Sequence, residues 1–248
     1  MTFRALLASA LLTLISPAQA ETAAVPPTKV IIHSGGRERF YYLYIPKSVD
    51  PSFPAPVLLL LHGSESHPAT FLPMWMADAD REGIILASPK SLADYGWRVR
   101  DDSAELMRDV IDDVAAKHPI DRRRLYLFGS SGGAVHALTL AMLESQYFAA
   151  VAIHAGSWRE KSSFQALQWA RRKVPVWMAV GTLDEYFSVQ SVRDTEAALR
   201  GNGHPVEVVI IKGHHHSYGE VVAQVNRDAW AFLNPVQLTE TPFFQSYP

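Results

Sequence analysis

The sequence predicts an α/β fold, an open and mostly parallel eight-stranded sheet with an antiparallel start and helices on both faces. Three observations predict it. Eight short segments rich in branched and aromatic residues recur along the chain. All but the first two are separated mainly by stretches of helical periodicity, as parallel strands joined by crossovers require. Residues 57–61 and 174–180 are apolar almost throughout, the mark of strands covered on both faces.

In chain order the strands are expected at residues 30–33, 40–45, 57–61, 84–87, 125–128, 149–153, 174–180 and 206–211. Ser34-Gly35-Gly36 between the first two is a tight-turn signal, so these two should form a hairpin. Helices are expected at 103–117, 134–145, 163–172, 189–200 and 220–233, with a weaker pattern around 71–81. In the first of these, Leu106, Val110, Ile111 and Val114 share one face while Glu105, Arg108, Asp109 and Asp112 point largely outward. In an open parallel sheet of this kind a site belongs at the carboxyl ends of the strands.

The 248 residues are 48% hydrophobic and 19% charged, a globular balance that excludes disordered and fibrous classes. Twenty-three basic against 25 acidic residues give a net charge of −2, and the basic runs at 122–124 and 171–173 are short, so bulk-charge binding to nucleic acid is excluded. Arg4, the apolar run at 5–15 and Ala18-Gln19-Ala20 have the order of a cleavable secretory signal. The expected organisation is a signal peptide at 1–20, an extended Pro- and Ala-rich segment at 21–29 and a single domain at 30–248. The run at 5–15 is too short to span a bilayer, and no later stretch is long enough. Cysteine is absent, so an exported fold must rest on its core.

The motif that carries chemistry is Gly129-Ser130-Ser131-Gly132-Gly133, a G-x-S-x-G pattern with a predicted strand leading in and a predicted helix leading out. A serine on so sharp a turn needs neighbours without Cβ atoms, and the following helix aims its N-terminal N–H groups at whatever reacts there. A serine hydroxyl is a poor nucleophile without a base to take its proton and an acid to orient that base. The strand at 174–180 runs into Gly181-Thr182-Leu183-Asp184, and the strand at 206–211 runs into Lys212-Gly213-His214-His215-His216. Ser131, Asp184 and His216 are therefore the expected catalytic set, with His214 as the alternative base. Three successive histidines diverge along an extended chain and no cysteine completes a set, so no metal is expected.

Leu61-His62-Gly63-Ser64 closes an apolar strand. The N–H groups of Ser64 and Gly132 are the expected oxyanion donors, while His62 is expected to be a structural histidine bonding nearby backbone, and His136 and His154 to pack or to line the pocket. Trp75, Trp97, Trp158 and Tyr186 fall in loops or near strand ends and are candidates for an apolar substrate platform, with packing the equal alternative for each.

With these residues in hand the chain resembles the secreted esterase and polyhydroxybutyrate-depolymerase-like group of α/β-hydrolases, which includes feruloyl and acetylxylan esterases. The resemblance rests on Leu61-His62-Gly63, on residues 121–133 around Ser131, on Val180-Gly-Thr-Leu-Asp184, and on residues 199–206 before the histidine loop. Where members often carry Cys after His-Gly, this chain has Ser64. The order Ser131, Asp184, His216 is that of α/β-hydrolases. The resemblance implies an exported serine esterase that needs no cofactor, acting on a small-molecule or polymer-attached ester. A peptidase or thioesterase with the same triad, or a non-catalytic binding protein of this fold, are the other readings. Only residues 154–173 lie between the sixth and seventh strands, room for one helix and no lid domain, so the site is expected to be shallow and open.

Overall fold

A computed structural model describes residues 26–245. The expected signal peptide lies outside the described residues, as do residues 21–25 of the segment after it. The sheet has eight strands, β1 (Thr28–Ser34), β2 (Arg37–Tyr44), β3 (Ala55–Leu61), β4 (Ile85–Pro89), β5 (Ile120–Ser130), β6 (Ala150–His154), β7 (Val176–Gly181) and β8 (Val206–Ile211). Their spatial order is β1-β2-β4-β3-β5-β6-β7-β8. β1, β2 and β4 pair antiparallel, and every further pairing is parallel. β1 begins at Thr28, so the end of the expected extended segment is already strand. Gly35 and Gly36 both take positive φ, the geometry a two-residue hairpin needs.

Alternation along the central strands builds two cores at once. Val57, Leu59 and Leu61 of β3 face one side with Leu125 and Leu127 of β5, whereas Leu58, Leu60, Tyr126 and Phe128 face the other. The first side is covered by α3 (Ala104–Ala115), α4 (Gly132–Leu143) and α5 (Val189–Gly201). The second is covered by α1 (Pro68–Phe71), α2 (Met76–Glu82) and α6 (Val222–Leu233). The stretch expected as a helix at 163–172 forms a 3₁₀ helix, Ser163–Trp169, which packs on α4 as the one element between β6 and β7. Among the described residues no lid domain covers the carboxyl ends of the strands. None of the described helices is long and apolar enough to cross a membrane.

One buried ion pair ties the hairpin edge to the loops above the sheet. The Arg39 guanidinium of β2 lies 2.6 Å from Asp102 and donates to the carbonyls of Lys90 and Asp101. The Asp102 carboxylate also accepts the N–H groups of Leu92 and Arg98, so both of its buried oxygens are bonded. Arg39→Met strands a buried carboxylate and should cost about 3–5 kcal/mol, measured as a lower urea midpoint.

Candidate active site

The turn between β5 and α4 places Ser131 at φ 56°, ψ −123°, a left-handed position that a residue with a side chain rarely adopts. Backbone contacts around it hold the strain. A Cβ on Gly129 would overlap the Gly133 carbonyl, and one on Gly133 would overlap the carbonyls of Leu61 and His62 at the end of β3. The Ser131 N–H donates to the His154 carbonyl of β6 at 3.0 Å. The turn is thus wedged between the two neighbouring strands, with its hydroxyl above the sheet.

The loops after β7 and β8 bring Asp184 and His216 to it. His216 Nε2 lies 2.9 Å from Ser131 Oγ, and His216 Nδ1 lies 2.9 and 3.0 Å from the two oxygens of Asp184. The fully buried Asp184 carboxylate also accepts the N–H groups of Tyr186 and Phe187 at 2.9 and 2.8 Å. A carboxylate has only acceptors, so Nδ1 carries the proton and Nε2 is left to accept from the serine. The His216 ring is set between Tyr186, 4.7 Å away, and Phe187, which stacks at 16°.

The other two histidines of the run point elsewhere. His215 is exposed and pairs with Glu185. His214 is buried and meets His154 Nε2 to Nε2 at 3.2 Å, while His154 Nδ1 lies 3.2 Å from Ser130 Oγ. Their carbonyls serve the same site, His154 accepting from Ser131 N–H and His214 from Leu183 N–H, next to Asp184. Burial, reinforced by the neighbouring His214, pushes His154 down to about 3. Burial likewise lowers His62 and His136 to about 4. His62 donates through Nδ1 to the Gly63 carbonyl and accepts the Ser91 N–H, as a structural histidine does.

Ser64 and Gly132 both line the cleft, and neither backbone N–H has an acceptor among the described residues. Gly132 opens α4, where an N–H has no carbonyl a turn earlier to bond. Ser64 packs where Gly132 lacks a side chain, its nitrogen 3.4 Å from the position of a Cβ. The cleft holds about 710 Å³ and is lined by Ser131 and His216 together with Trp97, Tyr186, Val135 and others. Trp97 is fixed there by a 2.7 Å bond to the His62 carbonyl and by stacking on His136.

Two of the four expected platform residues are not in the cleft. Trp75 packs edge-on against Phe128 on the far side of the sheet, wholly buried. Trp158 is 1% exposed, with its indole N–H on Thr139. Nearness to a strand end in sequence does not set the direction of a side chain, and both went to core. Tyr95, Arg98, Arg159 and Glu65 line the cleft and were not foreseen. Gly96, inside a polar and aromatic stretch, was the one signal of a turn over the site.

The fold is that of the α/β-hydrolases, with a row of serine, histidine and aspartate at the carboxyl ends of the strands. The chain belongs to the phospholipase/carboxylesterase family, whose profile matches residues 98–231. A bifunctional acetylxylan esterase/xylanase of Neocallimastix patriciarum is 27% identical over 161 residues, 63% of this chain, and the match spans 23% of that protein. Among solved structures, a thermostable esterase superposes with TM-score 0.67 at 18% identity, over 85% of this chain and 63% of its own. The Staphylococcus aureus fluorophosphonate-binding serine hydrolase F superposes with TM-score 0.68 at 16% identity, over 85% of this chain and 100% of its own.

The lowered histidines set the acid response of the fold. Unfolded histidine takes up a proton near pH 6.5, whereas folded His62, His136 and His154 stay neutral to about 4, 4 and 3. The unfolded chain therefore binds more protons below pH 6.5, and stability is lost as pH falls from there towards 4. Three such groups give a slope approaching about 4 kcal/mol per pH unit. Urea unfolding between pH 7 and 4 measures it, and the slope should drop by about a third in His136→Gln.

Proposed function

We propose that this chain is an exported serine esterase with Ser131 as nucleophile, His216 as general base and acid, and Asp184 as its orienting carboxylate. The observation that carries this reading is the continuous hydrogen-bonded row Asp184–His216–Ser131 facing an open cleft. His216 takes the hydroxyl proton as Ser131 attacks the ester carbonyl, then returns it to the departing alcohol. Asp184 holds the imidazole in its Nδ1–H tautomer and stabilises the imidazolium. The N–H groups of Ser64 and Gly132 receive the oxyanion, a place where one donor is worth roughly 3 kcal/mol. Water activated by His216 then releases the acyl group.

Export rests on Arg4, the apolar run at 5–15 and Ala18-Gln19-Ala20, with a single domain following the leader. The open cleft, over which the described residues form no lid domain, suits an ester borne on a large or polymeric molecule, and the acetylxylan esterase relative supports that choice. Trp97 and Tyr186 are the aromatic walls against which the ester lies.

Purified protein should hydrolyse a short-chain nitrophenyl ester and take a fluorophosphonate label. Ser131→Ala, folded by circular dichroism, should lose at least about a thousandfold in rate and all labelling. His216→Ala should fall comparably, whereas His215→Ala should keep most of its activity. An unlabelled wild type with no turnover on an ester panel would overturn the reading in favour of a binding protein.

A further inference from the structure

The cleft carries positive charge that the hydrolysis of a neutral ester does not use. Most arginines among the described residues lie against a carboxylate, as Arg39 does on Asp102, Arg122 on Asp112 and Arg193 on Glu196. Arg98 and Arg159 have no such partner among the described residues, and both line the space that holds Ser131 and His216. They reach it from different loops, Arg98 from the segment between β4 and α3 and Arg159 from the segment after β6.

Each guanidinium lies over an aromatic ring. That of Arg159 lies 4.7 Å from the centre of the Phe187 ring and donates to the Tyr186 carbonyl at 3.2 Å. Arg98 lies 4.9 Å from the centre of the Tyr95 ring, and its backbone N–H is bound to Asp102. Stacking occupies the flat face of a guanidinium and leaves N–H groups at its edge for an acceptor. The acid lining the cleft, Glu65, forms an ion pair with neither. The local excess of positive charge runs against a chain whose net charge is −2, so the protein as a whole does not attract anions.

We propose that Arg98 and Arg159 are specificity-determining residues that bind a carboxylate on the substrate, so that the preferred ester belongs to an acidic molecule. This rests on the esterase reading of the same cleft. A carboxylate presented to two planar guanidiniums accepts charge-assisted hydrogen bonds, which fix the distance between the anion and the scissile carbonyl.

Two matched ester pairs test it. One is 4-acetoxybenzoate and its methyl ester, with the carboxylate on the alcohol side. The other is mono(4-nitrophenyl) adipate and its methyl ester, with the carboxylate on the acyl side. Each kcat/KM is divided by the hydroxide-catalysed rate of the same compound. In at least one pair the free acid should be favoured by roughly tenfold or more, and the preference should shrink as salt is raised. Arg98→Gln/Arg159→Gln should bring the ratio to about one, while Arg159→Lys should retain part of it. Equal or better use of both methyl esters, with the same ratios in the double variant, would overturn the anion site and leave the esterase reading standing. No turnover of any of the four esters, with no labelling of Ser131, would overturn both.

Discussion

The site depends on one constraint, the close passage of backbone past backbone where β5 turns into α4. Ser131 sits in a conformation that costs of order 1–3 kcal/mol and persists only because its surroundings over-determine it. Gly133 lies against the Leu61 and His62 carbonyls so closely that no side chain fits, and Gly129 lies as closely against Gly133. Because the turn is pinned to the end of β3, the segment that follows β3 is placed as well. Ser64 fills the gap left by the missing Gly132 side chain, and the two residues, each with an unbonded N–H, line one cleft. A single packing arrangement thus sets the hydroxyl and its neighbouring donors together.

Asp184 and His216 reach this turn through a second layer beneath it. His154 and His214 are buried, joined to each other and, through Ser130, to the end of β5. One nitrogen of the pair must carry the proton between them and the other must lack it, which fixes a tautomer in a dry place. Their backbone carbonyls hold Ser131 on one side and Leu183 on the other. The burial that makes His154 a good strut also makes it a poor base, since its imidazolium is unstable above about pH 3. His216 differs in both respects, being partly open to the cleft and paired with a carboxylate. The division of labour within the run 214–216 follows from solvent access and partner, not from residue type.

Most of the fold was legible because each central strand carries apolar residues on both faces and turn chemistry lies between elements. Each of the eight expected strands overlaps an observed one, and the hairpin turns at Gly35-Gly36. Ser131 was legible because a strained turn demands small neighbours, and Asp184 because the acid follows a strand end. The choice among the histidines was not settled by sequence, because it depends on how the loop leaves β8. For Trp75 and Trp158 the sequence left platform and packing both open, and the structure has them in the core for a related reason. Sequence placed them near the rim, but Phe128 and Thr139 offered each a packing or hydrogen-bonding place inside. Arg98 and Arg159 left no sequence signal, since an unpaired arginine is recognised only when its neighbours in space are known.

The wall of the cleft owes its shape to a polar core far from the serine in sequence. Asp102 is neutralised by Arg39 from the hairpin edge and binds the N–H groups of Leu92 and Arg98, closing the loop between them. Its own carbonyl meets the His136 Nε2, and the His136 ring stacks under Trp97. Trp97 in turn is tied to the carbonyl of His62, which precedes Gly63 and Ser64. The antiparallel edge of the sheet therefore supports the cleft through a chain of satisfied hydrogen bonds and a stacked ring. Walls that are rigid before a substrate arrives can position it without paying to order themselves. A buried charge pair that contributes little net stability has a reason to be there when it fixes the loop that forms one of those walls.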